Sequence, residues 1–199
     1  MRLIAFGCSN TYGHGLEDCI MPNMRDPGPN PSRFAWPQLV ADKLNLDCVN
    51  MGNPGASNKE IWYKAINFNF ESTDTVIFLW SFVDRYCILR QDGFQPLSIH
   101  GTEKFNKMYY KHIHDDYDAC MDFYIRCNYM KQYLDSKNIF NLHGSVNQSK
   151  ILYTPDWNTV ELMPIYMDKI RNKFDTALDG MHPNHQAHEL FATEVLKII

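Results

Sequence analysis

Hydrophobic runs and helical patterns alternate along this chain. Short apolar runs that end at small or polar residues predict buried strands at RLIAF (2–6), LDCVNM (46–51), TVIFLW (75–80) and NIFNLHG (138–144). A weaker run, ILYTP (151–155), predicts a fifth strand at one edge. Helical spacing of apolar residues predicts helices at 37–46, 59–68, 117–137, 160–174 and 185–199. The alternation predicts an α/β domain with a mainly parallel sheet of about five strands.

One stretch does not follow either period. Residues 85–116 contain Gly93, Pro96, Gly101 and many aromatic side chains without regular spacing. They are therefore predicted to form an irregular insertion or lid over one edge. The length of 199 residues predicts a single domain spanning 1–199.

Composition and charge narrow the class of protein. The net charge is -4 and no run of Lys or Arg occurs, which argues against a nucleic-acid partner. No segment approaches the roughly 18 apolar residues of a membrane span, and the first residues do not form a signal peptide, so a cytoplasmic protein is expected. A virion or assembly component is an open alternative. The six cysteines lack CxxC spacing and are predicted to be reduced thiols; the oligomeric state is not determined.

The predicted strand ends carry the candidate chemistry, because ligands of parallel α/β sheets collect beyond the carboxyl ends of the strands. The three segments there are GCSN (7–10), GNPGASN (52–58) and WSFVDR (80–85). Ser9 lies two residues after the glycine that ends the first strand. A serine hydroxyl is a weak nucleophile and needs a base that a third group orients.

A cluster of acidic and histidine side chains near the end of the chain, DGMHPNHQAHEL (179–190), can supply that base. Asp179 and His182 lie in a turn, where the carboxylate can fix the imidazole tautomer. The cluster could instead bind a metal, but its histidines are spaced by three residues rather than the four of helical zinc sites. No metal is therefore predicted, and His185 and His188 are predicted to lie on the surface of the last helix.

Three of these segments together resemble a known family. GCSNTYG, NMGNPGASN and DGMHPNHQAH are similar to the first, second and fifth sequence blocks of SGNH/GDSL-type hydrolases, and they occur in the same order across nearly the whole chain. The resemblance implies a three-layer, flavodoxin-like α/β fold and a serine esterase without a cofactor. Ser9 would be the nucleophile and first oxyanion donor, Gly55 the second donor, His182 the base and Asp179 its support.

The chain departs from the family pattern at two places. Cys8 stands where the family has an aspartate, and WSFVDR lacks the asparagine that donates to the oxyanion in the third block. Loss of one such donor costs about 100- to 1000-fold in rate. Ser81 is the predicted substitute, with Asn53 and Asn58 as alternatives. Asn58, Arg85 and Tyr12 are predicted to contact substrate, Arg85 through a negative group or else by pairing with a local acid.

The predicted function is ester hydrolysis of a short acyl group, such as the acetyl group of an O-acetylated glycan, because no long apolar lid helix is evident. A non-catalytic glycan-binding or structural domain that keeps the hydrolase fold is the alternative, and the missing asparagine favours it. An acyltransferase that uses the same acyl-enzyme is a third possibility.

Overall fold

Strands and helices alternate through most of the chain, as a computed structural model of residues 1–199 describes. The strands are β1 (Arg2–Gly7), β2 (Asp47–Asn50), β3 (Thr75–Trp80), β4 (Tyr86–Arg90), β5 (Gly93–Leu97) and β6 (Phe140–Ser145). The helices are α1 (Ser9–Tyr12), α2 (Trp36–Leu44), α3 (Asn58–Ile66), α4 (Lys104–His112), α5 (Asp116–Asp135), α6 (Met167–Arg171) and α7 (His185–Leu196). None of these helices combines the length and apolar character needed to cross a membrane.

The central sheet is parallel throughout, in the order β2-β1-β3-β6. Helices α2 and α7 pack together on one side, and α3 packs with α5 on the other. Both faces of β1 and β3 are covered, so nearly all of their side chains are fully buried. This three-layer α/β arrangement confirms the predicted fold class.

Local capping signals explain where the helices begin. The Ser57 hydroxyl accepts a hydrogen bond from the Glu60 N–H at the start of α3. Asp115 caps α5 through the Tyr117 and Asp118 N–H groups. Asn184 caps α7 through the Ala187 N–H at 3.0 Å. The cap of α7 fixes the direction in which the preceding turn enters the helix.

Two predicted elements are wrong. Residues 151–155 form no strand, and the sheet has four strands rather than five; the edge beyond β6 carries only an isolated bridge between His143 and Leu162. The chain leaves β6 through a 3₁₀ turn at Gln148–Lys150 and returns to the edge of the sheet only at Leu162. The helix predicted at 160–174 is reduced to α6, because Pro164 lacks an N–H and restricts the residue before it.

Residues 85–116 are regular rather than irregular. Strands β4 and β5 pair as an antiparallel hairpin, followed by α4. The Tyr110 hydroxyl on α4 donates to the carbonyl oxygens of Asp84 and Leu97, at 2.6 and 3.1 Å. These bonds connect the helix to the open end of the hairpin, where β4 begins and β5 ends. The hairpin has no fully buried face, so its sequence lacks the apolar alternation by which strands are recognised.

All six cysteines are free thiols, as predicted.

Two histidines are buried in the core. His143 Nδ1 accepts a hydrogen bond from Trp80 Nε1 at 3.0 Å, and its ring stacks on Phe78. His188 Nδ1 accepts from the Trp36 N–H at 3.1 Å. The prediction that His188 lies on the helix surface is wrong, because α2 starts against α7 and its first N–H needs an acceptor. Burial lowers the pKa of both histidines to about 3.

These two histidines predict acid sensitivity of the fold. Each is neutral in the folded chain but takes up a proton below about pH 6.5 when unfolded, so the free energy of unfolding falls as pH drops from about 6.5 toward 3. Each group contributes up to about 1.4 kcal/mol per pH unit. Urea unfolding of wild type and His188→Asn between pH 7 and 4.5 measures the slopes. The variant should show a shallower slope than wild type, whereas the exposed-site control His112→Gln should not.

Candidate active site

The loops that follow β1, β2 and β3 meet at one edge of the sheet. Gly7 lies opposite Leu79 at the end of the β1–β3 pairing, so Ser9 and Ser81 are each two residues beyond that pair. The Asn53 N–H donates to the Gly7 carbonyl oxygen at 3.0 Å, which joins the loop after β2 to the same edge. The three segments predicted at strand ends are therefore brought together.

Glycines allow this close approach. A Cβ on Gly52 would lie 2.6 Å from the Tyr12 backbone nitrogen, and one on Gly7 would lie 2.8 Å from the Leu79 carbonyl oxygen. Only glycine fits at both positions. Cys8 is fully buried and cannot organise the loop as a carboxylate would. Asn50 connects the two loops instead, since it donates to the Thr11 carbonyl oxygen at 2.7 Å and accepts from the Gly52 N–H at 3.0 Å.

Asp179 and His182 form a hydrogen-bonded pair in the turn before α7. Asp179 Oδ1 accepts from the N–H groups of Met181 and His182, at 2.9 and 3.0 Å, and Oδ2 bonds to His182 Nδ1. Burial opposes the charge of Asp179, but these hydrogen bonds hold its pKa below the ordinary value. An ionised carboxylate requires a proton on His182 Nδ1, which leaves Nε2 free to act as a base.

His14 also contacts this pair, and sequence reasoning missed it. Its ring centroid lies 4.5 Å from that of His182. Its Nε2 lies 2.8 Å from the Arg25 carbonyl oxygen and 3.9 Å from Asp179 Oδ2. The one available signal was its place just after the GCSNTYG segment. The left-handed turns at Gly13 and Gly15, which direct it toward Asp179, could not be deduced from residue spacing.

Ligand atoms of His14, Asp179 and His182 lie within 4.8 Å of one another, which raises the question of a metal site. Their hydrogen bonds already engage His182 Nδ1, both oxygens of Asp179 and His14 Nε2. A cation would have to break these bonds, so the geometry favours an acid–base pair. His185 does not join the cluster, because its Nε2 lies 3.6 Å from Glu189 on α7.

Two backbone N–H groups are free to stabilise negative charge. Ser9 begins α1, where an N–H has no acceptor within the helix, and Gly55 N–H makes no hydrogen bond in the protein. Gly55 is exposed with φ +79, and a Cβ there would contact nothing within 4 Å. Both amides therefore have the spare donor capacity that an oxyanion hole needs, and Gly55 is also exposed.

The predicted substitutes for the missing asparagine are all engaged elsewhere. Ser81 is fully buried, and its hydroxyl accepts a hydrogen bond from Arg85 Nη1 at 3.3 Å. Its burial argues against Ser81 as an oxyanion donor, because the hydroxyl has no access to a ligand. The Asn53 amide donates to Glu60 Oε1 at 2.7 Å, and the Asn58 amide to the Ser81 carbonyl oxygen at 3.2 Å.

The predicted substrate contacts differ in their availability. The Tyr12 hydroxyl is used in a bond to the Gly28 carbonyl oxygen at 2.8 Å. Arg85 is half-buried and packs its guanidinium carbon 4.9 Å from the centre of the Phe82 ring, without a salt bridge. Asn58 and Arg85 line a cavity of about 190 Å³ between the hairpin, α4 and α5. Its polar lining also includes Tyr86, Tyr109, His114, Asp118 and Asp122, whereas Ser9 and His182 do not line it.

The Ser9 hydroxyl and His182 are not joined by a hydrogen bond in this structure. Ser9 is 3% exposed, and the His182 side chain 17% exposed. Catalytic hydrogen bonds of free enzymes are often long and tighten only when substrate binds. The geometry thus provides an oriented base and two free amide donors at the edge of the sheet that carries Ser9.

The electrostatics of His182 predict a pH profile. Burial lowers its pKa, the bond to Asp179 opposes this, and the charges of His14 and Arg85 lower it further. The prediction that His182 is the base makes its neutral form the active one, so ester hydrolysis should persist as pH falls through 6.5 and disappear only below it. The measurement is kcat/KM between pH 4.5 and 8. His14→Gln should move the midpoint upward, and His185→Gln should leave it in place; a midpoint above 6.5 in wild type would contradict the assignment of His182 as base.

Comparisons with known proteins bear on the fold. No protein-family model matches the chain, and neither does any curated protein. Among solved structures, an esterase from a Pseudoalteromonas species is 13% identical (TM-score 0.58), with 98% of this chain and 94% of that chain covered. A GDSL-like lipase from Bacteroides thetaiotaomicron is 12% identical (TM-score 0.52), with 99% of this chain and 86% of the lipase covered. An acetyl xylan esterase from Butyrivibrio proteoclasticus is 12% identical (TM-score 0.57), with 99% of this chain and 62% of the esterase covered. The chain therefore has the three-layer α/β fold of the SGNH/GDSL-type hydrolases.

Proposed function

We propose that this protein is a serine ester hydrolase that uses Ser9, His182 and Asp179. The observation that carries the proposal is the buried Asp179–His182 pair, which holds Nδ1 and leaves Nε2 as a base at the sheet edge where α1 presents Ser9. A carboxylate beside Nδ1 favours the tautomer that a general base needs, which supports the proposal.

The chemistry proceeds in two steps. The Ser9 oxygen attacks the acyl carbon while His182 Nε2 takes the hydroxyl proton, and the oxyanion is stabilised by the Ser9 and Gly55 N–H groups. The tetrahedral intermediate collapses, the C–O bond to the alcohol breaks, and the protonated His182 gives its proton to the leaving oxygen. A water molecule, deprotonated by His182, then attacks the acyl carbon of the Ser9 ester. The C–O bond to Ser9 breaks, the acid is released, and the protonated His182 returns its proton to the Ser9 oxygen. The chain supplies every group in these steps, so no cofactor is required.

Asp179 contributes by charge and orientation. Its carboxylate holds the imidazole through Nδ1 and stabilises the imidazolium that forms in each step. The side chain is itself fixed by two backbone N–H groups and has no exposure to solvent. The base therefore needs no reorganisation when the proton moves.

A short acyl ester, such as an O-acetylated glycan, is the proposed substrate. A cavity of about 190 Å³ lies beside Arg85; Ser9 and His182 do not line it, so its volume does not limit the acyl chain. It is lined by hydroxyl-bearing Tyr86 and Tyr109 and by Asp118, groups that can bond to the hydroxyls of a sugar. The acetyl xylan esterase among the similar structures supports this choice.

A non-catalytic glycan-binding domain with the same fold is the second candidate. Two observations favour it: the absence of an asparagine in the WSFVDR segment and the absence of a bond between Ser9 and His182. The ordered Asp179–His182 pair favours catalysis, since carbohydrate binding has no need for a buried carboxylate that orients an imidazole.

Hydrolysis of p-nitrophenyl acetate, butyrate and octanoate by the wild type tests the proposal. Turnover of acetate above the spontaneous rate, with kcat/KM falling along the series, is the expected result. Release of acetate from an O-acetylated oligosaccharide, compared with its deacetylated counterpart, tests the glycan part. Binding of the oligosaccharide without turnover of any ester would instead support the binding domain.

A further inference from the structure

We propose that Arg85 supplies the third oxyanion donor, in place of the asparagine that the loop after β3 lacks. The inference rests on the proposed ester hydrolase function. It assigns to Arg85 a direct contact with the reacting oxygen, rather than with a distant group of the substrate.

The side chain of Arg85 extends toward Ser81, which lies at the same height along the sheet as Ser9. Ser81 and Ser9 lie equally far beyond the Gly7–Leu79 pair of neighbouring parallel strands. Arg85 Nη1 lies 3.3 Å from the Ser81 hydroxyl. The guanidinium is therefore held beside the end of β3, the strand adjacent to β1, from which the Ser9 loop leaves. In this arrangement, Ser81 positions Arg85.

The charge of Arg85 has no partner in the protein. The side chain is half-buried, yet it forms no salt bridge, and its only hydrogen bond is to Ser81. Asp118 and Asp122 line the same cavity and Asp168 takes a hydrogen bond from Asn147, but none of these carboxylates forms a salt bridge with Arg85. An unpaired, partly desolvated cation is costly unless a ligand supplies the negative charge.

The charge of Arg85 also affects the proposed base, His182. Arg85 and His14 both lower the pKa of His182, which places the guanidinium within electrostatic range of the imidazole. The groups that act on His182 are thus Asp179, His14 and Arg85, from three different parts of the chain. A cation within electrostatic range of the base also favours the oxyanion that forms when Ser9 attacks the ester.

The chemistry suits the role. A guanidinium carries five N–H donors and is always charged, so it stabilises a developing oxyanion at least as well as an amide does. The ring of Phe82 and the Ser81 hydroxyl hold it in one orientation. The side-chain amides of Asn53 and Asn58 already donate within the protein, whereas Arg85 keeps N–H groups that do not.

Kinetics of Arg85→Ala, Arg85→Gln and Arg85→Lys with p-nitrophenyl acetate test the proposal. The assay is run on the pH plateau of each variant, so that a change in the His182 pKa does not enter. We expect kcat of Arg85→Ala to fall by about 100- to 1000-fold with KM changed by no more than about twofold. Arg85→Gln should recover part of kcat through its amide. Arg90→Ala, an arginine on the exposed end of β4, is the matched control and should keep wild-type kcat.

Three results would overturn the proposal. If Arg85→Ala and Arg85→Gln keep wild-type kcat for the neutral acetyl ester and raise KM only for esters that carry a carboxylate, Arg85 binds an anionic group of the substrate. If Arg85→Lys alone restores full kcat and Arg85→Gln restores none, the effect is one of long-range charge. If wild type turns over no ester, the proposed function itself fails. Arg85→Gln preserves most of the side-chain volume and decides the question if Arg85→Ala does not fold.

Discussion

Ser9→Ala is expected to lower kcat for p-nitrophenyl acetate by at least about 10⁴-fold, to near the spontaneous rate. The alanine leaves no atom to attack the acyl carbon. The Ser9 N–H, the Gly55 N–H and the Asp179–His182 pair all survive the change, so only weak residual catalysis from bound water and the amide donors is expected. The loss should appear in kcat at every pH, since it removes a reactant rather than shifting a protonation state.

A matched control and a chemical label make this result specific. Ser72→Ala removes an exposed hydroxyl from the loop before β3 and should behave as wild type. A fluorophosphonate should modify wild type at one residue, Ser9, and should not modify Ser9→Ala. Equal turnover by wild type and Ser9→Ala would show that another group performs the reaction. Equal inertness, together with no labelling of wild type, would leave the glycan-binding alternative.

Asp179→Asn is expected to lower kcat by roughly 10⁴-fold without disrupting the fold. The asparagine oxygen can still accept the Met181 and His182 N–H groups, so the turn keeps its shape. Its NH₂ group, however, faces His182 Nδ1 and donates to it. The imidazole must then carry its proton on Nε2, where the base is needed, and the resulting imidazolium has no carboxylate beside it.

The control for this change is Asp175→Asn, which alters an exposed carboxylate in the same loop and should keep wild-type activity. Thermal unfolding of Asp179→Asn should remain cooperative, with a midpoint close to that of wild type. A loss of less than about tenfold in kcat, with the fold intact, would mean that Asp179 does not orient the base and would count against the proposed mechanism.

Much of the fold could be predicted from sequence, because burial on both faces makes its signals local. Strand β3 was predicted at its observed bounds, and β1 within one residue, since continuous apolar runs occur where a sheet is covered on both sides. The hairpin β4–β5 was missed because neither strand buries a complete face. The fifth strand and most of the helix at 160–174 were wrong, because Leu152 and Tyr153 are exposed rather than buried in a sheet and Pro164 interrupts the helix.

The sequence by itself determined the candidate nucleophile, the Asp179–His182 turn and the parallel α/β class, because each depends on residues that are close along the chain or on a repeating pattern. Only the tertiary structure decided that His14 contacts His182, that His188 is buried against Trp36, and that Ser81 is inaccessible and bound by Arg85. These contacts join residues from separate strands, turns and helices. Their distances are set by how the layers pack, and no local pattern in the sequence encodes that packing.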